Sequence, residues 1–263
     1  FWSSFSNSVL LSLLISLFAF GIKTIDSTIG KAPIIDGSLH STSDEWDGAN
    51  TYTIMLNNTS EEDGLPITLG IIQNDNHLYI YIQYNIEAQY HSQTEFFGLI
   101  ISKNSSYERN DFVDAKILQF ENISTDTYKY LDYYINQSTF YQDTEVNGEG
   151  AAKIVSQTST YEFSLPIDNV EANNSGQDVY LKTGSTYAFN LTYGESPVYP
   201  GGIIKYNTVE ISIKQKPSSL IQIDYNFVLR ILSYIIFTIL GVLFGYYIYR
   251  IVILKRQIER IKG

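Results

Sequence analysis

Ile67-Thr68-Leu69-Gly70-Ile71-Ile72-Gln73-Asn74-Asp75-Asn76-His77-Leu78-Tyr79-Ile80-Tyr81-Ile82 is the stretch that decides the fold class. Ile67, Leu69 and Ile71 alternate with polar or small residues, and Asn74-Asp75-Asn76 supplies turn chemistry. Leu78, Ile80 and Ile82 then resume the alternation, with Tyr79 and Tyr81 on the opposite face. Two apolar runs of period two around an Asn/Asp turn make a β-hairpin. Successive side chains of a strand point to opposite faces, so each run has one face to bury.

Outward from this hairpin the same pattern recurs. Strands are predicted at Tyr52–Leu56, Phe96–Ser102, Ala115–Glu121, Tyr128–Ile135, Ala151–Ser156, Thr160–Pro166, Thr186–Tyr193 and Val209–Lys214. Clusters of Asn, Asp, Ser and Gly separate them at short spacing, and no convincing amphipathic helix interrupts them. That pattern predicts an all-β, antiparallel β-sandwich over residues 31–216. Pro217-Ser218-Ser219 closes it and opens a stalk, 217–226.

Beyond the stalk the chemistry changes. Ile231–Tyr249, between Arg230 and Arg250, carries no charge, which is length enough for a helix to cross a bilayer core of roughly 30 Å. A single transmembrane helix is predicted over residues 227–250. The tail at 251–263 holds Lys255, Arg256, Arg260 and Lys262 against one acid, Glu259. Short flanks rich in Lys and Arg stay cytoplasmic, so the long segment before the helix is expected outside the cell. The tail reads as a stop-transfer flank. Near the other end, Val9–Ile22 is a short apolar block, read within residues 1–24 as a signal peptide or an N-terminal hydrophobic anchor. Gly241-Val242-Leu243-Phe244-Gly245 places two glycines on one face of the membrane helix, a pattern that allows close approach between helices and hence a homo-oligomer.

Charge narrows the partners. Thr24–Asp224 has 10 Lys plus Arg against 27 Asp plus Glu, a formal −17. Such a surface repels nucleic acid and anionic lipid, and nucleic-acid binding is excluded on that ground. Cysteine is absent, which removes thiol nucleophiles, thiolate metal sites and c-type haem attachment. Asn-x-Ser/Thr acceptors for glycosylation start at Asn57, Asn58, Asn104, Asn122, Asn136, Asn173 and Asn190.

Several local patterns fall in a recognisable order. Ile35-Asp36-Gly37 precedes Glu45-Trp46, and the hairpin continues through His77-Leu78-Tyr79-Ile80. Phe97–Ile101 pairs in pattern with Asp111–Phe120, and Gly148-Glu149-Gly150-Ala151-Ala152 leads into Tyr161-Glu162-Phe163-Ser164-Leu165-Pro166. Taken together, Ile34–Ile213 resembles the family 9 carbohydrate-binding modules and the related DOMON-like domains. The resemblance implies a β-sandwich, with glycans as the leading ligand class. Bottom-up, Asp36-Gly37 suits a tight turn, Trp46 a buried anchor near a sheet edge, and Pro166 the end of a strand.

Sugar-binding members of that family stack aromatic rings, notably tryptophans, on sugar faces. Here Trp46 falls in the opening motif instead, so tyrosines are the candidates. Tyr128, Tyr130, Tyr133, Tyr134 and Tyr141 are concentrated in one stretch with Asp132, Asn136 and Gln137. Tyr128, Tyr130, Asp132, Tyr133, Tyr134 and Tyr141 are therefore the candidate ligand-binding set; alternation places Tyr128 and Tyr130 on one face and splits Tyr133 from Tyr134. The competing reading is that these tyrosines simply cover the sheet.

Some DOMON-like relatives bind haem through Met with His or Lys. The sole methionine, Met55, lies in a predicted strand, with His40, His77, His91, Lys153, Lys182 and Lys205 as conceivable second ligands; one soft ligand alone makes no site. A structural calcium ion can be drawn from Asp63, Asp75, Asn76, Asp111 and Asp114, although their spacing follows no EF-hand loop. No G-x-S-x-G elbow, H-E-x-x-H or phosphate loop occurs, and no enzyme is expected. The sequence thus predicts a membrane-anchored recognition protein for glycans or glycoconjugates. A structural or adhesive envelope component binding surface proteins, or a haem-bearing electron carrier, are the alternatives.

Overall fold

The computed structural model describes residues 23–39, 44–58, 64–87, 91–105, 107–125, 127–137, 139–169, 177–198, 201–215 and 225–262. The expectations for residues 1–22 and 217–224, and for His40, Asp63 and Asn173, lie outside these residues.

Alternating apolar positions give thirteen strands. They are β1 (Thr24–Asp26), β2 (Thr28–Ile29), β3 (Asn50–Asn58), β4 (Leu65–Gln73), β5 (His77–Asn85), β6 (Phe96–Ser102), β7 (Phe112–Asn122), β8 (Thr127–Asn136), β9 (Thr139–Gln142), β10 (Glu149–Val155), β11 (Thr158–Pro166), β12 (Thr186–Gly194) and β13 (Ile203–Ser212). The expected hairpin is β4–β5, in register from Gln73 opposite Leu78 to Thr68 opposite Gln83. Its turn is closed by Asn74 Oδ1, which accepts the backbone N–H of Asn76 and of His77, both at 2.8 Å.

The strands run β10-β11-β5-β4-β3-β13-β12-β6-β7-β8-β9, with β1 parallel to β13 and β2 parallel to β4. The hinge of this curled sheet is narrow: β3 and β13 pair only at Asn58 opposite Lys205 and Asn57 opposite Tyr206. The strands on either side of that corner form two layers. Inward side chains of both, including Ile80, Ile82, Phe97, Leu99, Tyr161, Phe163, Phe189 and Ile211, join one buried core. Removal of this apolar area from water is what drives the two layers together. The sheet takes in Thr24–Ile29, ahead of the expected start at residue 31, because Ile25 pairs with Ile211 and is fully buried.

The opening motif has a clear structural task. Glu162 on β11 is fully buried, and Asp36 N–H (2.9 Å), Gly37 N–H (2.7 Å) and Trp46 Nε1–H (2.9 Å) all donate to its carboxylate. Gly37 has φ +80°, which favours a residue without Cβ, and Asp36 Oδ1 accepts Ser38 N–H. Trp46 also meets Tyr81 edge to face at 4.8 Å. Burial pushes the Glu162 carboxyl up to about 7, against the pull of its three donors.

The chain separates into two compact units between Lys216 and Pro217. The second contains one helix, α1 (Tyr225–Lys262), whose segment Leu229–Ile258 is long and apolar enough to cross a membrane. Helix continues through the basic tail as far as Lys262. Lys255, Arg256 and Gln257 are good helix formers, and no Gly or Pro occurs between Gly245 and Gly263.

Candidate functional site

β7 and β8 carry the candidate residues. Their register sets Asp114 opposite Tyr134, Lys116 opposite Asp132, Leu118 opposite Tyr130 and Phe120 opposite Tyr128. Because Leu118 and Phe120 belong to the core, the pleat turns Tyr128, Tyr130, Asp132 and Tyr134 to the inner face. Tyr133 falls on the outer face. The six candidates are therefore divided among four settings.

Tyr128 and Tyr130 pack against the core. Tyr130 Oη donates to the Asn147 carbonyl at 2.9 Å, and its ring lies close over Gly150. Burial raises the phenol pKa of both. Both rings are half-buried there. Tyr133 stacks on Phe140 at 5.5 Å and packs with Ile135 on a small outer cluster around Ile100, Phe112, Ala115 and Ala188.

Tyr134 and Tyr141 make the accessible pair. β8 and β9 set them opposite one another, with ring centroids 5.5 Å apart and an interplanar angle of 23°. Tyr141 is 44 % exposed. Asp114, Tyr134 and Tyr141 thus stand in one row across β7, β8 and β9, and Asp132 lies two residues from Tyr134 on the same face.

Asp132 belongs to a buried ion cluster. Lys116 Nζ lies 2.5 Å from Asp132 Oδ1, 2.5 Å from Asp178 Oδ1 and 3.1 Å from Asp114 Oδ1. The remaining carboxylate oxygens accept N–H donors: Asn147 N–H on Asp132 Oδ2 (2.7 Å), Asn147 Nδ2–H on Asp178 Oδ2 (2.7 Å) and Val179 N–H on Asp114 Oδ2 (3.1 Å). Burial raises the Asp114 carboxyl to about 6 and Asp132 to about 7, in both cases against the attraction of Lys116. Burial disfavours the Lys116 ammonium, but Asp114 and Asp132 outweigh it and hold the amine above the usual lysine range. The cluster joins the β9–β10 connection and the segment before β12 to the inner face of the sheet.

Sequence reasoning named Asp132 and Asp114 for other roles and missed Lys116, Asn147 and Asp178. One signal was available: Asp114-Ala115-Lys116 puts two charges on the face that continues as Leu118 and Phe120. Such a conflict requires partners inside. Asp178, 62 residues from Lys116 in the chain, had no local signature.

Of the residues drawn together for calcium, three have other partners among the described residues. Asp111 pairs with Lys103 at 3.6 Å, Asn76 serves the β4–β5 turn, and Asp114 faces Lys116. As for haem, Met55 is 46 % exposed on the outer face of β3, between the core residues Ile54 and Leu56. Met55 pairs with Pro66, and His77 lies beyond Gln73 at the other end of β4, so about 23 Å of strand separates them. His91 Nδ1 is taken by Glu95 at 2.8 Å, and Glu95 Oε1 also accepts the hydroxyls of Tyr84, Ser159 and Tyr161. These residues supply no Met–His axial pair. Of the sequon asparagines, Asn57, Asn104, Asn122 and Asn136 are exposed, whereas Asn190 sits mid-strand in β12, partly buried.

No protein-family model matches the chain, and no curated protein matches it. Among solved structures, the chain is similar to a family 9 carbohydrate-binding module from Caldicellulosiruptor kristjanssonii in complex with cellotriose. That match has 12 % identity, a TM-score of 0.43, and covers 75 % of this chain and 97 % of that one. A family 9 carbohydrate-binding module from the same organism in complex with glucose matches at 13 % identity and TM-score 0.41, over 75 % and 99 % of the two chains. A Bacteroides uniformis protein matches at 6 % identity and TM-score 0.44, over 73 % of this chain and all of that one. At these identities and scores no residue of this chain takes its role from theirs.

Proposed function

We propose that this chain is a membrane-anchored, non-catalytic recognition protein that binds glycans or glycoconjugates at the cell surface through the Tyr134–Tyr141 pair. The observation that carries the reading is the exposure of Tyr141, stacked on the half-buried Tyr134 at the β8–β9 edge of the sheet. An exposed aromatic face gives a sugar ring an apolar platform. Asn136, two residues from Tyr134 on the same face of β8, brings an amide that can bond sugar hydroxyls. The ordered motifs shared with family 9 modules support the same ligand class. Leu229–Ile258 supports the anchor, and the Lys/Arg-rich end of α1 supports a cytoplasmic C-terminus.

A glycan array probed with the full chain in detergent tests this. Wild type and Tyr133→Ala are expected to bind the same saccharides, and Tyr134→Ala and Tyr141→Ala to lose at least about tenfold, or 1.4 kcal/mol. Binding that survives both inner-face changes removes the assigned site. No binding by folded wild type removes the ligand class.

A second reading rests on the outer face. Tyr133, Ile135 and Phe140 form a half-buried apolar strip beside β9, a four-residue edge strand. Such a strip with an open edge suits contact with another protein. Phe140→Ala weakening capture of a surface protein while leaving saccharide binding intact would favour the structural or adhesive role.

A further inference from the structure

We propose that Lys116 is a built-in counter-ion: its ammonium fills a carboxylate cage, made by Asp114, Asp132 and Asp178, that accepts a hard divalent cation such as Ca²⁺ once the amine is removed. The cage has metal-site dimensions. One oxygen from each carboxylate lies within 4.8 Å of the other two. Nζ stands among them at 2.5, 2.5 and 3.1 Å, the first two within the roughly 2.3–2.6 Å at which oxygens ligate calcium.

The cage does not owe its shape to the lysine. Asn147 N–H, Asn147 Nδ2–H and Val179 N–H each hold the far oxygen of one carboxylate, the arrangement by which outer partners orient metal ligands. Each near oxygen is thus aimed at Nζ by a donor on another segment. Asp114 Oδ1, on a side chain 2 % exposed, accepts no hydrogen bond among the described residues and faces only the ammonium. A cavity of about 10 Å³ borders Asp114, Lys116, Asn147 and Asp178, about the space one water needs. An ion could therefore complete its shell with a water, since calcium takes 6–8 oxygens.

Charge points the same way. Three carboxylates against one ammonium leave the cluster a formal −2, and a divalent ion in the amine's place would leave it −1. Lys116 sits two residues from Asp114 on the same face of β7, so the strand delivers its own cation along with the first carboxylate. The consequence is a sandwich end whose order is independent of dissolved metal in the native protein, and dependent on it when the amine is gone.

The test compares full-length wild type, Lys116→Ser and Lys116→Ser/Asp178→Asn in detergent, by thermal unfolding in EDTA and in millimolar CaCl₂. Terbium emission excited through tyrosine gives a second readout, since Tyr130 adjoins the cluster. Wild type is expected to melt at one temperature in both buffers and to give no emission. Lys116→Ser is expected to melt lower in EDTA, to regain about 5–10 °C with CaCl₂, and to emit with Tb³⁺. The double variant, burying one carboxylate fewer, is expected to fold in EDTA and to emit more weakly. A wild-type protein stabilised by CaCl₂ with loss of that effect in Asp132→Asn would overturn the proposal, as would a folded Lys116→Ser indifferent to both ions. If Lys116→Ser stays unfolded in both buffers, the double variant decides: emission supports the cage, and silence overturns it.

Discussion

Trp46→Phe isolates one hydrogen bond to a buried charge. The substitution keeps an aromatic ring to meet the edge of Tyr81, now 4.8 Å away, and deletes only the Nε1–H that reaches Glu162 Oε1 at 2.9 Å. Glu162 is fully buried, and its other oxygen is already occupied by Asp36 and Gly37. Oε1 is then left without its donor. Hydrogen bonds to charged groups contribute roughly 1.5–3 kcal/mol, and a buried acceptor left unmatched costs a similar amount. We expect a loss of about 2 kcal/mol, and a melting temperature lower by about 4–8 °C for a domain of this size. The full chain in detergent, followed by near-ultraviolet circular dichroism, reports it. The loss should depend on pH. Trp46 donates to the ionised form, and Glu162 is ionised in the fold above about 7. Removing the donor raises that pKa further, so the gap between wild type and variant should be wide at pH 8 and narrow at pH 5. Equal stability at pH 8, or the same gap at both values, would refute the role given to Glu162.

Three other outcomes are expected. Glu162 and Asp132 at about 7 and Asp114 at about 6 all lie above the unfolded carboxyl range near 4. The folded state therefore holds protons that the unfolded state has released. This contribution is full below about pH 4 and lost as pH rises through 6–7, so the domain should melt higher at pH 5 than at pH 8. Gly148→Ala should cost at least about 2 kcal/mol in urea unfolding, because Gly148 has φ +88° and an added Cβ would lie 2.5 Å from the Ser164 carbonyl oxygen. Gly241→Ile with Gly245→Ile should weaken self-association in a membrane reporter assay. Nothing lies within 4 Å of either glycine's would-be Cβ, so the isoleucines would meet only a second helix, and an unchanged signal would remove that contact.

What could be read along the chain was what depends on period. β6 spans Phe96–Ser102, the range expected from its run of apolar residues, and β11 ends at Pro166, which lacks a ladder donor. Apolar helix and strand are both local patterns, and each was legible without its neighbours. β9 escaped because four residues, Thr139–Gln142, are too few to show alternation. β1 and β2 escaped because Thr24–Ile29 gains its order from β13 and β4 and not from its own sequence.

The site was legible only in part. Tyr134 and Tyr141 were picked along with four residues that turned out to face the core, an ion pair or the other side of the sheet. Composition could gather these residues but could not decide which faces lie open. That choice is made by the opposing layer: β10 packs on β8, and Gly148 and Gly150 lie close against Tyr130. Long-range contact likewise created both buried carboxylate sites. Glu162 waits for donors more than a hundred residues earlier, and Lys116 for Asp178. The sequence by itself determined strands, the long apolar helix and the acidic balance, because period, length and charge are local sums. Only the tertiary structure decided which charges are inside and which tyrosines remain free, because burial depends on what the rest of the chain lays over them.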